Sequence, residues 1–176
     1  GQRKVRQSWQ DNRSDGASDE VLFHLGDIAF IPDGPLLAAA YSMDGRIVVY
    51  NAQDGSTERT LVGARSLFWS PYAVSPAGSA LAYTSGDRVR LWNPQTGRDG
   101  VPMQGRFSSI TSIAYSADGK LVAAGGQEMI SQDESKNIIR VLSSATGEEL
   151  LKLNGHHEWI HCLAFSPSGE MLVSGS

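Results

Sequence analysis

The chain has 176 residues, of which 40% are apolar and 19 are glycine, and it carries a formal net charge of −4. This length allows one domain with a substantial core, and the composition suits a turn-rich all-β globule better than a disordered chain. The mildly acidic balance argues against bulk nucleic-acid binding, which usually leaves a basic footprint. No apolar run reaches the roughly 18 residues of a membrane-spanning helix.

Residues 1–20 are polar and mixed in charge, and are expected to form a leader or a closing strand, because Lys4–Trp9 imitates the pattern of Arg88–Trp92. The opening GQRKVRQSWQ lacks the apolar core of a secretory signal. The single cysteine, Cys162, cannot form an internal disulfide, and it falls in an apolar run where a packed thiol is expected. A cytoplasmic location is the expectation. From Leu25 onward, short apolar or alternating runs bounded by Gly, Pro, Asp and Asn predict strands. They fall near 25–30, 36–41, 46–50 and 57–62, then near 68–74, 80–84, 88–92 and 99–103. A third group lies near 109–115, 121–125, 138–142 and 148–153, and a last pair near 159–165 and 171–175. No stretch keeps a 3.6-residue period, so helix is expected to be nearly absent.

The groups are copies of one another. Ile28-Ala29-Phe30, Tyr72-Ala73-Val74, Ile113-Ala114-Tyr115 and Leu163-Ala164-Phe165 each precede a turn, and the turn glycines Gly34, Gly78, Gly119 and Gly169 are spaced by 44, 41 and 50 residues. In phase with them, Ile47–Tyr50, Val89–Trp92 and Ile139–Leu142 each precede a glycine, at Gly55, Gly97 and Gly147. The clearest copy is LNGHHEWIHCLAFSPSGEMLVSG, from Leu153 to Gly175. This pattern resembles the Trp-Asp (WD) repeat family, whose unit of about 40–45 residues supplies four strands of a β-propeller blade.

The resemblance covers residues 21–176 and implies an all-β propeller of about three complete blades plus part of a fourth, with repeats near 21–63, 64–105, 106–155 and 156–176. A seven-bladed ring needs roughly 300 residues. The expectation is therefore a segment of a longer propeller, completed by other chain or by a partner, with self-association through its open ends. A four-bladed ring closed by residues 4–25 is the alternative. Members of the family often carry a His, Ser/Thr, Asp and Trp that hydrogen-bond within a blade. By that resemblance Asp44, Trp92, His156 and Ser174 are structural, and no copy holds the full set.

His157-Glu158-Trp159-Ile160-His161 satisfies the H-E-x-x-H zinc pattern. That chemistry needs a helix to bring residues four apart together, whereas here the register is loop running into strand, where four residues span about 13 Å. No metal, cofactor or catalytic residue is expected. The insertion Gln127–Lys136 is the one stretch the repeat does not explain, and it reads as an acidic loop between second and third strands. In the family this connection opens on the face that carries the connections between blades. Arg65, Trp69, Arg106, Phe107, Met129, Ile130, His157, Glu158 and Trp159 are therefore candidate partner-binding residues, since aromatics, methionine and arginine anchor interfaces. The expected function is a non-catalytic scaffold holding another protein or another domain of the same protein. A regulatory propeller fused to an enzyme, or one with a small-molecule or catalytic central pocket, is the alternative.

Overall fold

The computed structural model describes residues 25–41, 45–63, 71–132 and 134–176. The expected strand at Lys4–Trp9 lies outside them. Among the described residues, three four-stranded antiparallel sheets and one two-stranded sheet succeed one another. The first holds β1 (Leu25–Phe30), β2 (Leu36–Tyr41), β3 (Arg46–Asn51) and β4 (Thr57–Val62). The second holds β5 (Tyr72–Val74), β6 (Leu81–Ser85), β7 (Arg88–Trp92) and β8 (Asp99–Pro102). The third holds β9 (Ser109–Tyr115), β10 (Leu121–Met129), β11 (Ser135–Ser143) and β12 (Glu149–Asn154), and the fourth β13 (Cys162–Phe165) and β14 (Leu172–Gly175). Strands neighbour one another in chain order and the described residues hold no helix. This is part of a β-propeller, with three full blades and two strands of a fourth.

The period of two along each strand decides which blade a side chain meets. In the second blade Leu81, Tyr83 and Trp92 face the first, joining Ile31, Ala38, Ala40, Ile47 and Val49 in one cluster. On the opposite face of the same strands, Ala82, Val89 and Leu91 face the third blade and meet Val122, Ala124, Ile138 and Leu142. The same alternation sends Ala123, Ile139 and Val141 to the far side, where they enclose Ile160. Each sheet is thus dry on a face only where a neighbour covers it. Ile28 and Phe30 on β1, Met171 just before β14 and Val173 on it lie on faces that no described residue covers, and all four are exposed.

Strands β10, β11 and β13 differ from the sequence expectation. β10 and β11 run to nine residues each, because the pairs Glu128–Lys136 and Met129–Ser135 continue their ladder into the insertion. The last copy's first strand starts at Cys162 and not at Trp159. Ile160 is instead turned inward, fully buried, with its carbonyl accepting a hydrogen bond from Thr111 Oγ1 of β9.

The turn glycines serve both conformation and blade spacing. Gly147 has φ 76°, and a Cβ there would lie 2.1 Å from the Pro102 carbonyl oxygen at the end of the preceding blade. Gly78 is similar, at φ 64° and 2.4 Å from the Pro32 carbonyl oxygen. In the first copy the left-handed residue is Asp33, at φ 62°, because Gly34 precedes Pro35 and a pre-proline residue is pushed towards extended backbone. Gly147→Ala is expected to cost more than the roughly 1–2 kcal/mol of a left-handed alanine, since backbone must also move. Thermal unfolding checks this, and an unchanged midpoint would show that the two blades are not held this closely.

Candidate functional site

The insertion is not a loose loop. Its two arms extend β10 and β11 as a two-stranded ribbon in uninterrupted register as far as Met129 opposite Ser135, and beyond that pair the Ile130 and Ser131 N–H groups donate to the Glu134 carbonyl at 2.8 and 3.2 Å. The ribbon outruns its neighbours on both sides: β9 pairs with β10 only as far as Ser109 opposite Gln127, and β12 with β11 only as far as Asn154 opposite Ile138.

Arg140 holds the base of this ribbon. It stands on β11 between Ile138 and Leu142, on the face turned to the second blade, and is only 6% exposed. Its Nη1 donates to Glu149 Oε2 and its Nη2 to Glu128 Oε1, while Lys152 Nζ donates to the other Glu128 oxygen. Nη2 also reaches the Arg106 carbonyl at 3.3 Å, and the guanidinium lies 5.3 Å from the Phe107 ring centroid, a distance at which the ring's quadrupole attracts a cation. Burial on its own would raise the Glu128 carboxyl, and it is the largest single influence. The hydrogen bond from Lys152 and the charges of Arg140 and Lys152 together outweigh it and hold the group below the usual carboxylate range. Gly105, at φ 83°, leaves the room Arg140 occupies, since a Cβ there would sit 2.6 Å from Arg140 Cδ.

Beside the ribbon, a cleft of about 600 Å³ is bounded by Glu128, Ile130 and Lys136 on one side and Asn154, His156 and His157 on the other. Asn137 Nδ2 donates to the His157 carbonyl at 3.1 Å, tying the segment between third and fourth blades to the ribbon. Met129 and Ile130 at the tip are 53% and 49% exposed, and Trp159, two residues beyond His157, is 41% exposed. His157 and Glu158 are exposed. Arg106 reaches solvent from the same end of the sheets and pairs with Asp87 at 3.4 Å.

Phe107 corrects the expectation of a surface aromatic. It is 4% exposed, packed in the cluster between second and third blades and beneath Arg140; the backbone bond from its N–H to the Asp87 carbonyl turns the ring inward. Arg65, Trp69 and Asp44 lie outside the described residues. Trp92 is buried against the first blade. His156 and Ser174 meet, with Nε2 2.7 Å from Ser174 Oγ and Nδ1 2.9 Å from Ser176 Oγ. The H-E-x-x-H segment runs through bends towards β13, and the His161 N–H donates to the Gly175 carbonyl as in a sheet. Among the described residues no three His, Cys, Asp or Glu side chains cluster as a metal site. Cys162 is exposed and not packed: Leu163 and Phe165 take the face against the third blade, so the alternating Cys162 takes the other.

The ion network was not anticipated. Its only trace in the sequence is a charged residue interrupting the apolar stripe of Ile138 and Leu142, and Arg90 occupies the same place in the second copy while remaining exposed.

The "WD domain, G-beta repeat" family model matches residues 20–51, 102–133 and 147–176. Together with the meander sheets, this places the chain in the WD-repeat family. The second blade falls almost wholly between the matched segments, although its four strands keep the same order. The chain is 29% identical over 143 residues to the WD repeat-containing protein SL1-17 of Schistosoma mansoni, covering 80% of this chain and 44% of that protein. It is 32% identical over 171 residues to the nuclear distribution protein PAC1 of Arthroderma benhamiae, covering 86% and 36%, and 27% identical over 152 residues to the apoptotic protease-activating factor 1 of Rattus norvegicus, covering 84% and 12%. It spans less than half the length of each of these relatives.

Proposed function

We propose that the chain is a non-catalytic protein-interaction scaffold whose contact surface is the ribbon tip together with the loop at His157–Trp159. The observation that carries this is the pairing of exposed Met129, Ile130 and Trp159 with a rigid base. Large apolar side chains held out from a locked ribbon can bind with little backbone ordering cost, and such residues are typical anchors. The scaffold reading is also supported by the inner strands β1, β5, β9 and β13, whose sequences LGDIAF, YAV, SITSIAY and CLAF bring one carboxylate, Asp27, and no base or histidine towards a central pocket. Membership of a repeat family built from stacked blades agrees with a binding surface made by loops along one edge.

The test is to shorten the ribbon without touching its base. Replacing Met129–Ser135 by Asn-Gly joins Glu128 to Lys136 through a two-residue hairpin turn and keeps the Glu128 contacts with Arg140 and Lys152. The melting temperature is expected to stay within about 2 °C, a shift of under 1 kcal/mol. A photo-crosslinker at Ile130 in the intact chain is expected to give discrete protein adducts in cells that one at Glu58, on the exposed strand β4, does not give. Equal labelling from the two sites would overturn the assignment.

A further inference from the structure

The ribbon has an open edge as well as an apolar tip. The Ser143 N–H donates outward to the Glu148 carbonyl, whereas the Ser144 N–H donates inward to the Lys120 carbonyl. Because β10 and β11 pair without a register shift from Leu121–Ser143 to Met129–Ser135, this alternation continues down the strand. It places the backbone N–H and C=O of Ser135 and Asn137 on the outer edge, the side on which β12 lies. β12, however, ends opposite Ile138, and Gly155, at φ 142°, turns the chain away from that edge. The space that a longer β12 would have filled is the cleft, and Ile130 lines it.

From this geometry we infer that the cleft receives an extended segment of a partner protein as an added strand on the Ser135–Asn137 edge, with an apolar side chain of that segment set against Ile130. The inference rests on the scaffold reading above and gives the partner a chemistry. Unpaired edge groups are a template for another strand, and such recognition draws affinity from main-chain hydrogen bonds and selectivity from alternate side chains. The charges nearby do not select a charged ligand: Lys152 is paired with Glu128, and Lys136 lies 4.0 Å from Glu134. They do disfavour a second copy of this chain as occupant. Pairing two such edges about a two-fold axis would set Lys136 of each copy beside the other, and like charges across strands are destabilising. An edge this short supplies few hydrogen bonds, so the apolar anchor is needed for binding.

Short random peptides displayed on phage, selected on the whole chain, provide the probe. Selected peptides are expected to lose up to about tenfold in affinity on Ser135→Pro, the loss of one backbone hydrogen bond. Proline at the first residue of β11 removes only an outward N–H and leaves the ribbon ladder intact. On the unaltered chain, methylating alternate backbone nitrogens of the same peptide is expected to give a loss of the same size in one phase and little in the other, which tests the mode without relying on the variant's folding. Binding that needs Ile130 but ignores both changes would overturn strand addition while leaving the interaction surface standing. Peptides indifferent to Ile130→Ser would overturn the surface, and this inference with it. Self-association of the chain abolished by Ser135→Pro would reassign the edge to a second copy.

Discussion

Arg140→Ala is expected to lower the unfolding free energy by about 3 kcal/mol, near the lower end of the range for breaking a buried ion pair. The physical reason is what remains behind. Glu149 loses the guanidinium that neutralises it, Glu128 keeps only Lys152, and the Arg106 carbonyl loses a donor. The effect stays at the lower end because the two carboxylate side chains retain 26% and 21% exposure and can recover part of their hydration. For a chain of this size the loss corresponds to a fall of roughly 10 °C in melting temperature. A loss below about 1 kcal/mol, the range of exposed pairs, would mean that solvent screens the network.

The same network sets a pH dependence. Glu128 is held below the usual carboxylate range in the folded chain, so its contribution is fully present above the unfolded glutamate pKa of about 4.3 and is lost as pH falls through the lower folded value. Denaturant midpoints of the wild type and Glu128→Gln should therefore differ at neutral pH and converge in acid. A difference that instead widened in acid would show that the carboxyl is raised and not lowered by its surroundings.

Phe107→Ala is expected to cost about 3–5 kcal/mol, the usual range for deleting a buried phenylalanine side chain. The ring is part of the wall between second and third blades and supports the Arg140 guanidinium from below. Its removal opens a cavity and loosens the base of the ribbon together. Because the two residues touch, the double variant should lose less than the sum of the singles. Chemical denaturation measures all three. If Phe107→Ala left stability within about 0.5 kcal/mol, as a surface substitution does, yet abolished binding at the ribbon, the ring would belong to the interaction surface after all.

The contrast between Phe107 and Met129 shows how far side chains could be placed from sequence. Both sit beside turns in the third copy, and both fit an interface by residue type. Met129 is exposed because the ladder carries it beyond the end of β9, and Phe107 is buried because the chain enters β9 with that ring turned between blades. Neither the length of a ladder nor the direction of an entering side chain is written in composition or spacing.

By itself the sequence determined the all-β class, the succession of meander sheets and the strands of the first three copies to within a few residues, the ribbon excepted. Alternation and turn chemistry are local properties, and four repetitions in phase removed the ambiguity that any single short apolar run would carry. Only the tertiary structure decided that the insertion is a ribbon and that Arg140 is buried while Arg90, at the same place in the repeat, is exposed. Burial of Arg140 depends on Glu128, Phe107 and Glu149 arriving from three other segments, and no local pattern can encode a meeting of that kind.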